Sequence, residues 1–112
     1  MTTAELNTQL YKMMFMEQQT YQQWLVSLPP HEILEHSYEY VVRQDILLSM
    51  EYNDLTGKQA KALLKSPTPL ADVFKKFEKQ ESDHMQDIWN CVESRANEVM
   101  RANFVTSRRE ER

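Results

Sequence analysis

Apolar residues recur along the first thirty positions at helical spacing. Leu6, Leu10, Met13, Tyr21, Trp24 and Leu28 follow one another at steps of three, four or eight. That is one face of an α-helix. Thr2 and Glu5 have the spacing of a capping box, so the helix is expected to start near residue 3. Pro29-Pro30 ends it, and a proline also suits the first turn of the next helix, where its missing N–H would be unpaired anyway. A second helix is predicted over residues 30–52. On a wheel, Glu35, Glu39 and Arg43 fall within about 60° of Glu32. Ile33, Leu34, Tyr38, Tyr40, Val41, Val42, Leu47 and Leu48 fill most of the rest. An apolar arc so wide predicts a central helix covered from more than one side, with a narrow acidic stripe left facing water.

Asn53-Asp54 begins a turn, and Thr56 with Gln59 forms a second capping box. A short helix over 57–65 follows, with Ala60, Leu63 and Leu64 inward. Ser66-Pro67-Thr68-Pro69 breaks it, and Thr68 with Pro69 is expected to start the next. From Pro69 to about Asn103 one stripe runs through Leu70, Val73, Phe74, Phe77, Met85, Ile88, Val92, Ala96 and Val99. Glu81, His84 and Arg95 interrupt it. Either the chain breaks near Gln80 and Ser82 caps a separate helix, or the three form a buried polar cluster. The pattern therefore predicts an all-α, small single-domain bundle of four or five helices over residues 1–105. A charged, flexible tail is expected over 106–112.

Composition narrows the function classes. At 112 residues and 13.4 kDa the chain suits one core. Its net charge of −4 and pI near 5.4 disfavour nonspecific binding to nucleic acid or acidic membrane. No apolar run approaches the ~18 residues of a membrane span. The N-terminus lacks the basic-then-apolar pattern of a signal peptide. A single cysteine fits a reducing compartment, so a cytoplasmic location is expected. The single glycine excludes phosphate-cradling Gly-rich loops and dinucleotide fingerprints. Charge alternates: residues 31–54 hold six acids and one base, whereas 57–80 hold six lysines and two acids.

Candidate chemistry is sparse. Glu81 and His84 have the Glu-x-x-His spacing that sets two ligands on one helix face, but di-iron bundles need that motif twice. His84, Asp87 and Cys91 share a face without a fourth zinc ligand. No metal and no cofactor is expected. Cys91, beside Val92 and three residues after Ile88, is expected to be a buried, inert thiol, and no enzymatic centre is expected. Lys58, Lys61 and Lys65 share a face of the short helix and offer a nucleic-acid reading. Without an Arg or Asn array, direct base readout is disfavoured.

Two surfaces point toward a protein partner, and one candidate is a host nucleic-acid enzyme. The carboxylates of Glu32, Glu35 and Glu39 could face a basic groove. Met13-Met14-Phe15-Met16 puts apolar groups around nearly the whole first helix, and one side should not be left bare. Tyr11, Phe15, Met16 and Val26 are the candidates for a partner or homodimer surface.

Two segments carry a resemblance. One is Glu39-Tyr-Val-Val-Arg-Gln-Asp-Ile with the later His84-Met-Gln-Asp-Ile. The other runs from Asp54-Leu-Thr-Gly-Lys-Gln-Ala to Leu70. Together they resemble a bacterial family of short, mostly helical proteins of unknown function carried on mobile elements of Gram-positive gut bacteria. The resemblance covers most of residues 10–100 and implies a genomic setting in which small proteins often block host defence machinery. The expected role is thus a non-enzymatic protein-binding module, such as a counter-defence inhibitor of the anti-CRISPR type. A self-associating helical module and a small DNA-binding regulator using the lysine face are the alternatives.

Overall fold

A computed structural model describes residues 1–80 and 84–110 of the chain. Five helices carry the described residues: α1 (Thr3–Val26), α2 (Pro30–Tyr52), α3 (Gly57–Leu64), α4 (Pro69–Gln80) and α5 (His84–Glu110). The fold is all-α, as the periodicity predicts. It divides into two compact units, Met1–Glu78 and Lys79–Arg112.

The predicted caps account for two helix starts. The Thr2 hydroxyl oxygen accepts from the Glu5 backbone N–H at 3.1 Å and opens α1. At α3 the capping box is complete. The Gln59 N–H donates to Thr56 Oγ1 at 3.2 Å, and the Thr56 N–H donates to Gln59 Oε1 at 3.0 Å. The turn before α3 is held from α1. Asn7 Nδ2 donates to the Leu55 carbonyl and Asn7 Oδ1 accepts from the Leu55 N–H, both at 2.9 Å. Gly57 sits close beneath α1: a Cβ there would lie 3.3 Å from Thr3 Oγ1. The chain's one glycine thus stands where the start of α3 comes close to α1.

The start of α4 departs from the sequence reading. Pro69 opens it as expected, but the Thr68 hydroxyl turns to Asp72 Oδ1 at 3.3 Å. The exposed N–H groups are taken by a residue from another helix. Glu17 of α1 accepts the Leu70 N–H at 2.8 Å on one carboxylate oxygen and the Ala71 N–H at 2.9 Å on the other. A carboxylate at a helix N-terminus satisfies two orphan donors and opposes the positive end of the dipole.

The core of the first unit joins Leu6, Leu10 and Met14 of α1 to Leu47, Ala60 and Leu70. The central element is therefore α1, not α2. It packs on both α2 and α3 and reaches α4 through Glu17. Its buried face also differs from the expected one. Met14 is fully buried where Met13 was expected, and Trp24 is exposed while Leu25 is buried. The reason is Gln18, a polar residue inside the core face. Its Nε2 donates to the Tyr40 carbonyl and to Gln44 Oε1, each at 3.1 Å, so an amide completes the run 6, 10, 14, 18.

The second unit is the long helix α5. Its described side chains, residues 85–105, are all exposed. Cys91 is thus an exposed thiol, not a buried one. The break predicted near Gln80, with Ser82 as the cap, and the Glu81 position fall on residues 81–83, outside the described residues; α4 is described as far as Gln80. The last helix runs to Glu110, beyond the expected end near Asn103. No proline or glycine interrupts residues 104–110, and Arg108 and Arg109 are cations of the kind a helix C-terminus favours.

Candidate interaction surfaces

The acidic stripe of α2 does not stand free as expected. Arg43 is buried, and it draws Glu39 inward: Nε donates to Glu39 Oε2 at 2.9 Å and Nη2 lies 2.6 Å from the same oxygen. Glu17 Oε2 is 3.9 Å from Arg43 Nη1, and the guanidinium carbon lies 4.2 Å from the centre of the Tyr21 ring. Burying a guanidinium is costly unless its donors are matched, and here two carboxylates and an aromatic face surround it. Glu39 is therefore a structural partner of Arg43. Glu32 is half-buried, and Glu35 alone of the three is exposed. Burial pushes the Tyr21 phenol above its ordinary value of 10.0, the charge of Glu39 adds to this, and Arg43 opposes it.

The other side of α2 is the feature that the sequence reading missed. Leu34, Tyr38, Val41, Leu48 and Tyr52 are all exposed, Leu34 at 76% and Tyr52 at 79%. With Asp45 they are spaced four, three, four, three and four residues apart, which places them in one straight stripe. The signal was visible as an apolar arc too wide for one contact. It was read as double burial, whereas within the first unit α1 covers only one side. Around the edge from this stripe, Val42, Ile46 and Met50 face Leu63, Val73 and Phe77 across a groove of ≈ 430 Å³, with Asp45 and Ser49 at its margin.

On α1, Tyr11, Lys12, Phe15 and Met16 line a shallow apolar depression of ≈ 340 Å³. The rings of Tyr11 and Phe15 stack with centroids 6.3 Å apart. Tyr11 is anchored, its hydroxyl donating to Glu51 Oε1 at 2.7 Å. That bond, with desolvation and the charge of Glu51, holds the phenol above 10.0. Val26 is exposed but lies eleven residues beyond Phe15, about 16 Å along the axis, with Gln19 and Gln22 exposed between. It does not share the depression. Lys58, Lys61 and Lys65 are exposed on and just after α3, a helix of 8 residues.

Among the described residues no three His, Cys, Asp or Glu side chains group as a metal site, and the Glu81–His84 pair lies outside the side chains described. No described helix is long and apolar enough to cross a membrane.

These features define a small all-α protein that exposes apolar side chains on α1, α2 and α5. The sequence profile of a family described as a protein of unknown function (DUF3848) matches residues 6–100, and the chain belongs to that family. No curated protein and no solved structure was found to match it.

Proposed function

We propose that the chain is a non-enzymatic protein-binding module whose working surface is the outward side of α2. The observation that carries this reading is the exposed stripe Leu34–Tyr38–Val41–Leu48–Tyr52 on the most acidic segment of the chain. Apolar side chains in such a row supply affinity on burial. Glu35, Asp45 and Asp54, exposed on the same segment, supply attraction for a basic surface and speed association. A carboxylate-bearing surface of this kind suits the positively charged groove of an enzyme that handles nucleic acid. In the mobile-element setting that the sequence resemblance implies, this is a counter-defence inhibitor of the anti-CRISPR type.

The test is phage plaquing on cells with an active CRISPR system, with and without the protein. Protection is expected, and it should vanish in Val41→Asp/Leu48→Asp while the circular dichroism stays helical. Absence of protection against every defence nuclease tried defeats the counter-defence reading. Protection that survives the double substitution defeats the α2 surface.

A further inference from the structure

The spacing of the α2 stripe carries information about the shape of what covers it. Leu34, Tyr38, Val41, Asp45, Leu48 and Tyr52 form successive layers between positions 34 and 52. That is about 27 Å of helix, or about 5.4 Å from one layer to the next. A second helix with the same spacing keeps step along the whole row and seats its side chains between the layers. A β-strand repeats on one face every ~6.6 Å, so it slips by about 1.2 Å per layer and by about one whole layer across the row. The row suits a helix.

Charge names the chemistry of that helix. Asp45 occupies a seam position among apolar neighbours and is exposed. Glu35 stands in a flanking heptad position on one side and Glu51 on the other, both exposed, the latter accepting from the Tyr11 hydroxyl at 2.7 Å. No lysine or arginine of α2 offsets them. Arg43, the one such residue of the helix, is buried against Glu39 and Glu17. A carboxylate covered by apolar surface is costly unless a cation meets it. A second copy of α2 does not supply one. Laid parallel in register, it sets Asp45 against Asp45. Laid antiparallel, so that the row superposes on itself in reverse, it sets Asp45 against Val41. A foreign helix with a lysine or arginine at that level satisfies the carboxylate, and the pair then fixes the register.

We propose that the α2 stripe receives a single amphipathic α-helix of the partner, apolar at heptad spacing, basic along its flanks, with one lysine or arginine seated against Asp45. This rests on the α2 reading above and adds the shape, charge and register of what binds there.

The probe is a fluorescent synthetic peptide of three heptads, with leucine in the seam, lysine along the flanks and lysine at one central seam position. The flanking lysines keep it from pairing with itself at low salt. The full chain is titrated into it and anisotropy is read. Binding at micromolar concentration with a gain of peptide helicity is expected. A peptide of the same composition with its leucine spacing scrambled should bind at least about tenfold more weakly. A twin with glutamate at the central seam position isolates the role of Asp45. The native chain should prefer the lysine peptide by about tenfold or more, and Asp45→Lys should reverse that order while circular dichroism stays helical.

No binding of the lysine peptide, equal binding of the scrambled one, or an Asp45→Lys chain that keeps the native preference overturns the proposal. If plaque protection is nevertheless lost in Val41→Asp/Leu48→Asp, α2 stands as the working surface and only the helix falls. A native chain that sediments as a dimer and becomes monomeric in Val41→Asp/Leu48→Asp makes a second copy the occupant and overturns it too.

Discussion

The sharpest quantitative test of the first unit is the carboxylate of Glu17. It accepts two backbone N–H groups at the start of α4, at 2.8 and 2.9 Å, and its side chain is only 13% exposed. A hydrogen bond to a charged group contributes about 1.5–3 kcal/mol, and an unsatisfied buried donor costs about 1–3 kcal/mol. Leu70 is fully buried, so its N–H has little access to replacement water; Ala71 is half-buried and has more. Arg43 keeps Glu39 at 2.6 Å when Glu17 is removed, so the 3.9 Å pair adds little to the loss. Glu17→Ala is therefore expected to cost about 3 kcal/mol, a large part of the roughly 5–15 kcal/mol of a typical domain. At a urea slope of about 1 kcal/mol per molar, the midpoint should fall by about 3 M. Glu17→Gln keeps one acceptor but points an amide N–H at the second backbone donor, and should lose about half as much. Circular dichroism against urea measures both. A shift below about 0.5 M in Glu17→Ala refutes the claim that this carboxylate fastens α4.

Two further outcomes follow from neighbouring contacts. Asn7→Ala removes both reciprocal hydrogen bonds to Leu55 and should cost about 2 kcal/mol in the same urea assay, at about 1 kcal/mol for each bond; an unchanged midpoint means that the turn before α3 does not depend on the clamp. The phenols of Tyr11 and Tyr21 are both held above 10.0, so the fold favours their neutral forms. Their contribution is complete below the unfolded value and disappears as pH rises through the higher folded values. Phenolate absorbance of the native protein should therefore show late-ionising steps, and Tyr11→Phe and Tyr21→Phe should each remove one of them. A late-ionising part of the curve that neither substitution reduces would contradict both environments.

What the sequence conveys depends on whether the signal is local. Helix starts governed by residues within four positions were legible: Thr2 with Glu5, Thr56 with Gln59, and the Pro30 and Pro69 openings. The cap of α4 was not, because Glu17 stands 53 positions from the N–H it serves. Nothing in the segment around Thr68 shows that its hydroxyl turns instead to Asp72. Arg43 read as a solvated charge for the same reason. Its burial becomes possible only when Glu17, Glu39 and Tyr21 converge from two helices, and a wheel of α2 alone places it among acids facing water.

Polar residues in the core and apolar residues outside it misled the reading in opposite directions, and the second error carries the functional information. Gln18 inside the α1 face shifted the expected core by one position, a small mistake with a local cause. The width of the apolar arc on α2 was read correctly and its meaning was not. A helix that is apolar on two sides needs two coverings, and α1 supplies one of them. The arithmetic of α5 is parallel: a 120° apolar face on a helix whose described side chains are all exposed. For a chain of this size, leaving both faces to water conflicts with the small exposed patches of ordinary monomers. The α2 stripe is accompanied by acids, which disfavours pairing with itself and favours a basic partner. Charge, and not hydrophobicity, is what distinguishes the kind of partner that the α2 face suits.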